Sequence, residues 1–263
     1  QGGRIFFYGE KKNWWSRSGV PAQMPVGEPG GPDSEVFYDF ADPKQPEAIH
    51  QASPFAAHPC HINCDCGRFL EIGNSVFMEY QKTEQGFVKL EQQNIDFGGG
   101  LERILAACEQ QADIFRTQAF WPIVEQLQQL SPVAYEENLL AYRIVADHIR
   151  ASVMLIADGV LPGNKEQGYV LRRLLRRAAR QGRYLQVEGS FLSRLVPAVI
   201  ALYSDFYQEL APRTQEIEQI IEAEESKFQR SLERGLREFE KLIIGHDRLT
   251  AELVFRLYES YGF

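Results

Sequence analysis

Hydrophobic and polar residues alternate along much of the first hundred positions, which is the pattern of strands with one buried face. The alternation is clearest from Arg68 to Tyr80, and it predicts Asn74 on one face of the strand and Glu71 on the other. A polar turn and Gly86–Leu90 follow, so we predict an antiparallel hairpin. Two further short strands are predicted at Ile5–Tyr8 and Glu35–Asp39. The segment between them, Val20–Pro32, is predicted to be an ordered loop.

The pattern changes after Gly100, where apolar residues recur three and four positions apart, as they do in helices. The predicted helices are Leu101–Gln110, Asp113–Leu130, Glu136–Asp158, Gln167–Tyr184, Phe191–Leu210 and Arg213–Ile244. The last has the clearest apolar stripe, and Glu225 falls on its opposite face, which we interpret as solvated. The chain is therefore predicted to be α+β, with an antiparallel sheet followed by an all-helical domain, divided into residues 1–112 and 113–263.

Composition narrows the class of protein. With 263 residues, 44% of them hydrophobic, the chain can bury a core and is not intrinsically disordered. No apolar stretch is long enough to span a bilayer, and we see no signal peptide. Three of the four cysteines lie close together, which favours a reducing cytoplasm over a secreted disulfide scaffold. The absence of an initiator methionine suggests a piece of a longer protein.

The first candidate site is a run of three glycines, Gly98–Gly100, between a predicted strand and a predicted helix. Glycines let the backbone approach a ligand closely, and the free N–H groups at a helix start favour an anion. Arg103 could reach a phosphate there, and Asp96 could face a cation. The alternative is a tight turn in which Glu102 and Arg103 are surface charges. The spacing matches neither a Walker loop nor a dinucleotide-binding fingerprint.

A second candidate is the adjacent pair Trp14 and Trp15. Neighbouring residues of a strand point to opposite faces, so one ring can pack in the core while the other walls a pocket. Packing of both rings in the core is the alternative.

A third candidate is a group of potential metal ligands within nine residues: His58, Cys60, His61, Cys64 and Cys66. We predict that a zinc ion, if bound, is held by His58, Cys60, Cys64 and Cys66. The spacing is not the usual pair of Cys-x-x-Cys motifs, and buried free cysteines are the alternative.

A fourth candidate is a basic helix. Six arginines and no acidic residue occur between Gly168 and Tyr184, in a chain whose formal net charge is −8. Concentrated positive charge on one helix of an acidic protein favours binding to a phosphate backbone, and we interpret it as an RNA-binding surface. A solvated face paired with glutamates of a neighbouring helix is the alternative.

Together these motifs resemble the alanyl-tRNA synthetases, a class II aminoacyl-tRNA synthetase family. The resemblance is carried by segments in the family's order: Asn13–Trp15, Gly31–Asp39, Leu70–Tyr80, Asp96–Arg103, Val145–Arg150, Ile156–Pro162, Gly168–Arg177 and Leu257–Phe263. Asp96–Arg103 is similar to class II motif three. The resemblance implies that residues 1–112 are the C-terminal half of a class II aminoacylation domain and that 113–263 recognise the tRNA acceptor stem. Gly73 stands where the family usually has tryptophan.

The resemblance implies ATP-dependent activation of alanine, with ATP and Mg²⁺ required, followed by transfer to tRNA-Ala. It assigns the alanine pocket to Trp15, Asn74, Ser75, Asp96 and Gly98. It assigns the ATP site to Glu71, Gly99, Gly100 and Arg103. Asp96 and Arg103 are the implied catalytic residues, because Asp96 would pair with the substrate ammonium and Arg103 with the phosphates. Glu71 would support the nucleotide or Mg²⁺.

On the tRNA side, the resemblance implies that the loop Gly163–Gln167 reads the G·U pair of the acceptor stem. The implied tRNA-binding residues are Asn164, Glu166, Tyr169, Arg172, Arg173, Arg176 and Arg177. We find neither class II motif one nor motif two, so we expect an internal fragment of an alanine–tRNA ligase that is inactive by itself. Two alternatives stay open, a tRNA-binding relative without ATP chemistry and a zinc-stabilised structural module.

Overall fold

The computed structural model describes residues 3–245, 250–251 and 255. The chain forms two compact units, Gln1–Thr117 and Gln118–Phe263. The closing motif of the sequence analysis, Leu257–Phe263, lies outside the described residues. No helix in the described ranges combines the length and the apolar character that a membrane span requires.

The first unit is built on one four-stranded antiparallel sheet, with the strands in chain order. Its strands are β1 (Trp14–Ser16), β2 (Pro29–Asp39), β3 (Phe69–Thr83) and β4 (Gly86–Gly99). Its helices are α1 (Ala48–Gln51) and α2 (Leu101–Cys108), with 3₁₀ turns at Pro21–Gln23 and Ile114–Arg116. The predicted hairpin is confirmed, because β3 and β4 pair from Thr83 and Gly86 onward. Strand β4 continues to Gly99, well past its predicted end.

Two predictions about the sheet are wrong. Strand β2 begins at Pro29, inside the segment Val20–Pro32 that was predicted to be a loop. Pairing there depends on glycine, since a Cβ atom at Gly31 would lie 1.7 Å from the carbonyl oxygen of Phe77. Ile5–Tyr8 forms no strand, and the side chain of Phe7 is 92% exposed. Apolar side chains alone do not make a strand when no neighbouring strand pairs with them.

The second unit is helical, as the spacing of its apolar residues predicts. Its helices are α3 (Trp121–Gln128), α4 (Leu139–Ala157), α5 (Glu166–Tyr184), α6 (Val196–Tyr203) and α7 (Thr214–Gly245), with 3₁₀ turns at Tyr135–Glu137, Leu192–Leu195 and Ala211–Arg213. Two predicted helices are shorter than expected, because a proline stands in the first turn of α3 and of α6. Proline lacks an N–H group, so Pro122 and Pro197 fit a first turn but interrupt a longer helix.

The core of the second unit lies where α4, α5 and α7 meet the turn before α6. Tyr142 and Ile149 of α4, Leu175 of α5 and Ile217 of α7 are at most 1% exposed. Each such side chain contributes about 1.5–3 kcal/mol when it leaves water. These contacts hold α5 in place, and α5 carries the arginines of the predicted RNA-binding surface.

Glu225 is the exception to the solvated face predicted for α7, since it is 1% exposed. Its carboxylate accepts hydrogen bonds from the backbone N–H groups of Phe191, at 3.2 Å, and Leu192, at 3.0 Å. Burial is the larger influence, and it raises the pKa of Glu225 from 4.5 to about 7. Helical spacing did not predict this, because the partners lie on a distant turn of the chain.

We expect this carboxyl group to make the chain less stable as the pH rises from about 5 to 8. Its pKa is higher in the folded chain than in the unfolded one, so its contribution is complete below pH 4.5 and is lost as the pH passes about 7. The full difference corresponds to about 3 kcal/mol. Glu225→Gln should therefore match the wild type in urea unfolding near pH 5 and exceed its stability near pH 8. Glu209→Gln, at an exposed glutamate, should show no such difference, and parallel pH profiles for Glu225→Gln and wild type would contradict the prediction.

Candidate functional site

A β-bulge in β3 decides which side chains share a face of the sheet. Val36 pairs with Gly73 and Phe37 with Glu71, so Ile72 is an extra residue in β3. An extra residue reverses the alternation of side chains beyond it. Glu71 therefore lies on the same face as Asn74, and the opposite faces predicted for these two residues are wrong.

The register places the central candidates of the alanine pocket together. Asn74 of β3 lies directly between Glu35 of β2 and Gly98 of β4. Two residues further along β3, Asp33 and Asp96 flank Val76 in the same way, and directly opposed residues share a face. We call this surface, which holds Asp33, Glu35, Glu71, Asn74, Asp96 and Gly98, the acidic face. It concentrates four carboxyl groups, which favours a cationic ligand group.

Arg103 is anchored on the bulge. Its Nη1 donates hydrogen bonds to the backbone oxygen of Glu71, at 3.1 Å, and to Oε2 of the Glu71 carboxylate, at 3.0 Å. The backbone N–H of Gly100 donates to the carbonyl oxygen of Ile72, at 3.2 Å. A Cβ atom on Gly100 would lie 3.0 Å from Cδ of Arg103, so glycine there leaves room for the arginine side chain. Arg103 and Glu71, both predicted for the ATP site, are brought together.

Asp33 is a residue of this face that sequence reasoning did not select. Oδ2 of Asp33 accepts a hydrogen bond from Nδ2 of Asn74 at 3.1 Å. Its Oδ1 is buried and has no hydrogen-bond partner among the described residues. Burial raises the pKa of Asp33 more than the hydrogen bond from Asn74 lowers it, and burial also raises the pKa of Glu35. In the sequence, Asp33 lies in the segment Gly31–Asp39, which is one of those that carry the resemblance to the alanyl-tRNA synthetases.

Gly98 leaves open space on the acidic face. A Cβ atom built on Gly98 would have no neighbouring atom within 4 Å. The space adjoins Asn74, its partner in β3, and Asp96 stands two residues away on the same face. A small ligand group could therefore reach the sheet surface at this point.

Other predicted pocket residues are not placed with this group. Ser75 pairs with Phe97 on the opposite face of the sheet. There the Phe97 ring lies close over Gly73, because a Cβ atom at this position would be 3.1 Å from the ring and would require the ring to shift. Of the two tryptophans, Trp14 stacks on Tyr80 with ring centroids 6.1 Å apart. Trp14 is half-buried and Trp15 is 42% exposed, so the two rings do not both pack in the core.

The predicted zinc ligands need one correction. Sγ atoms of Cys60, Cys64 and Cys66 and a ring nitrogen of His50 lie within 4.8 Å of one another. His50, on α1, thus takes the place of His58, which offers only its backbone oxygen to the His50 ring. The position of His50 beside the cysteines was not predictable from spacing, because His50 lies well outside the nine-residue cluster in the sequence.

In the second unit, the loop before α5 closes on itself. The backbone N–H of Gly163 donates to the carbonyl oxygen of Gly168 at 2.9 Å. A Cβ atom on Gly168 would lie 2.6 Å from the carbonyl oxygen of Leu161, so only glycine fits. Asn164 on this loop and Glu166 at the start of α5 are exposed, and both border an open groove of about 590 Å³. Glu166 has a left-handed backbone, with φ of 49°, a conformation that is uncommon outside glycine.

Five of the six arginines of α5 fall into two classes. Arg172 and Arg176 pair with Glu224 of α7, at 3.1 and 2.8 Å, and Glu224 is 6% exposed. Arg172 also donates a hydrogen bond to Oδ1 of Asn164. These two arginines hold the helix and the loop together, which is the role foreseen in the alternative interpretation of this helix.

The other class points outward along α5. Its members are exposed and spaced three or four residues apart on one helical face, which we call the outer face: Tyr169, Arg173, Arg177, Arg180 and Tyr184. The Arg173 guanidinium lies 5.9 Å from the centroid of the Tyr169 ring. Arg180 Nη2 donates a hydrogen bond to the Tyr184 hydroxyl at 3.4 Å. Exposed cations interleaved with aromatic rings are a surface that suits RNA. Arg180 and Tyr184 were not among the predicted residues.

The sequence of the chain matches one protein family along its whole length. The model of the family described as tRNA synthetases class II (A) matches residues 1–263. The chain belongs to this family. Within the described residues, this class II synthetase chain has a four-stranded antiparallel sheet and seven α-helices, which confirms the predicted α+β class.

Individual relatives of this class II synthetase chain are alanine–tRNA ligases. The one from Lawsonia intracellularis is 40% identical over 271 residues, which are 99% of this chain and 29% of the relative. The one from Borrelia hermsii is 37% identical over 270 residues, which are 99% of this chain and 42% of the relative. The one from Elusimicrobium minutum is 38% identical over 264 residues, which are 99% of this chain and 28% of the relative. The chain therefore spans less than half the length of these relatives.

Proposed function

We propose that the chain is part of an alanine–tRNA ligase of the cytoplasm, which activates alanine with ATP and then transfers it to tRNA-Ala. The observation that carries the proposal is the acidic face, where Asp96 and the open space at Gly98 stand on the sheet that also anchors Arg103. Residues 1–112 would belong to the aminoacylation domain, and 113–263 would recognise the tRNA. The similarity to alanine–tRNA ligases supports alanine as the amino acid.

In the first step, a carboxylate oxygen of alanine attacks the α-phosphorus of ATP, and pyrophosphate leaves. Asp96 would hold the ammonium group of alanine, so that its methyl group enters the space beside Gly98. Arg103 would bind the polyphosphate, because its guanidinium is already oriented by Glu71. Such a step depends on fixed charge and orientation more than on an acid or a base. In the second step, a ribose hydroxyl at the tRNA 3′ end attacks the alanyl carbonyl, and AMP leaves.

Mg²⁺ would neutralise charge on the polyphosphate when it is bound. Carboxylate oxygens are its preferred protein ligands, and Glu71 offers a carboxylate beside Arg103. The residues present therefore fit the ion, with Glu71 as the candidate ligand.

The direct test is alanine-dependent ATP–pyrophosphate exchange and charging of tRNA-Ala by a full-length enzyme that contains this chain. We expect exchange with alanine to exceed exchange with serine or valine. Glycine should be excluded less strongly, because the one methyl group by which it differs from alanine is worth only about 1–3 kcal/mol. Binding of tRNA-Ala without exchange would favour the alternative of a tRNA-binding relative that lacks ATP chemistry.

Gly98→Ala should weaken the use of alanine without destabilising the fold. The added methyl group meets no protein atom, but it occupies the space that we assign to the methyl group of alanine. We expect the KM for alanine in the exchange reaction to rise about tenfold or more, while Tm stays unchanged. Gly9→Ala is the matched control, since its Cβ atom would also meet nothing within 4 Å. An unchanged KM for alanine in Gly98→Ala would place the pocket elsewhere.

A further inference from the structure

Residues 40–68 form an excursion between β2 and β3 that has almost no apolar core. Only three of its residues are buried, His50, Cys64 and Cys66, and Cys60 is half-buried. Its two largest apolar side chains are not buried, since Phe40 is half-buried and Phe55 is 37% exposed. Segments of this size that bury little apolar surface usually depend on a metal ion or on disulfides for their order. The buried residues of the excursion are the ones that could supply such a link.

The four donor atoms lie at separations that suit one small ion. They are all within 4.8 Å of one another, and Sγ of Cys64 is 3.7 Å from Nδ1 of His50. In tetrahedral zinc sites the bond lengths place neighbouring ligand atoms about 3.6–3.8 Å apart. Small shifts of the side chains would therefore complete a tetrahedron.

The His50 ring is oriented as a metal ligand would be. Its Nε2 lies 2.8 Å from the carbonyl oxygen of His58. A carbonyl oxygen can only accept, so Nε2 carries the proton and the neutral ring has its lone pair on Nδ1, which faces the sulfur atoms. Metal-binding histidines usually donate their second ring N–H to a carbonyl or carboxylate in this way. His50 as a residue is 4% exposed, so this geometry is shielded from water.

The ends of the excursion are fixed beside the cluster. Arg68 binds Asp39 at the end of β2 through Nε and Nη2, both at 2.9 Å, and Glu47 before α1 through Nη1, at 2.9 Å. The Phe40 N–H donates to the carbonyl oxygen of Arg68 at 2.9 Å. A metal at the cluster would tie α1 to the segment that enters β3, and β3 carries the acidic face.

We propose that His50, Cys60, Cys64 and Cys66 bind one Zn²⁺ ion that orders residues 40–68. Four protein ligands leave no open position, so the ion is structural and takes no part in the reaction of the synthetase. On binding, each of the three thiols loses a proton and forms a Zn–S bond, while His50 supplies the lone pair of Nδ1. The cluster is distinct from the acidic face, and the proposal does not depend on the proposed function.

The test measures metal in the purified chain by inductively coupled plasma mass spectrometry. We expect about one zinc ion per chain, and loss of that zinc in His50→Ala. His58→Ala is the matched control, because its backbone oxygen remains and its side chain is not a ligand, so zinc should be retained. Cobalt added to the zinc-free chain should give the intense visible bands of tetrahedral thiolate coordination. Zinc retained in His50→Ala and lost in His58→Ala would contradict the ligand set.

A second measurement keeps the proposal testable if His50→Ala fails to fold. Removal of metal from the wild-type chain with a strong chelator should expose residues 40–68 to limited proteolysis, and added zinc should reverse the change. Mass spectrometry after alkylation should find all three thiols reduced. A wild-type chain without zinc that also fails to bind cobalt would overturn the proposal, and so would a disulfide between any two of the three cysteines.

Discussion

Replacing Asp96 with alanine, in a full-length enzyme that contains this chain, should lower alanine-dependent ATP–pyrophosphate exchange at least about a hundredfold. The carboxylate of Asp96 is the group that we propose opposite the ammonium of alanine. An ammonium that leaves water without a counter-charge is strongly destabilised. Asp96→Asn keeps the shape of the side chain but removes the charge, so it should lose nearly as much activity. The KM for ATP should change less, because Arg103 is anchored through Glu71.

The control for this experiment lies on the same strand. Glu91 is an exposed carboxylate of β4, and Glu91→Gln should retain wild-type exchange. Tm should be unchanged in all these variants, since Asp96 is itself exposed on β4. Wild-type exchange by Asp96→Ala would refute the assignment of Asp96. Asp33 would then be the next candidate, because it lies across Val76 on the same face of the sheet.

The parts of this fold that were predictable from the sequence are those fixed by local pattern. The hairpin of β3 and β4 follows from alternation and a polar turn, and α4, α5 and α7 follow from helical spacing. Prolines in the first turns divided two predicted helices, and that signal was present in the sequence at Pro122 and Pro197. The glycine run that ends β4 and precedes α2 was also a local signal, and the structure brings Arg103 of α2 to Glu71.

The rest depends on contacts between distant residues. Periodicity alone predicts an uninterrupted strand, so the extra residue at Ile72, which turns Glu71 toward Asn74, could not be seen. His50 lies on a helix of four residues, too short for a recognisable pattern, and only the folded excursion brings it to the cysteines. Glu225 looked solvated because helical spacing does not show which segment packs on a face. The pairing of Arg172 and Arg176 with Glu224 in particular could not be predicted for the same reason, since Glu224 lies far along the chain.

The two classes of arginine on α5 predict opposite results when they are replaced in pairs. Arg173→Gln with Arg177→Gln removes charge from the outer face, so this pair should weaken binding to a tRNA-Ala acceptor-stem minihelix and leave Tm unchanged. Each phosphate contact that is lost should reduce the slope of log affinity against log salt by about 1. Arg172→Gln with Arg176→Gln leaves Glu224 buried without a partner, so this pair should lower the free energy of unfolding by about 3 kcal/mol.

Fluorescence anisotropy across a salt series, beside thermal unfolding, separates the two outcomes. A minihelix whose G·U pair is changed to G·C serves as the second ligand, because it keeps the phosphate contacts equal. The outer-face pair should weaken both minihelices alike, since phosphate contacts carry no sequence information. Discrimination should instead depend on the loop at Asn164 and Glu166, which Gly168 holds closed. If the outer-face pair bound both minihelices as tightly as the wild type, with the same salt dependence, the basic helix would be a structural face and the tRNA surface would lie elsewhere.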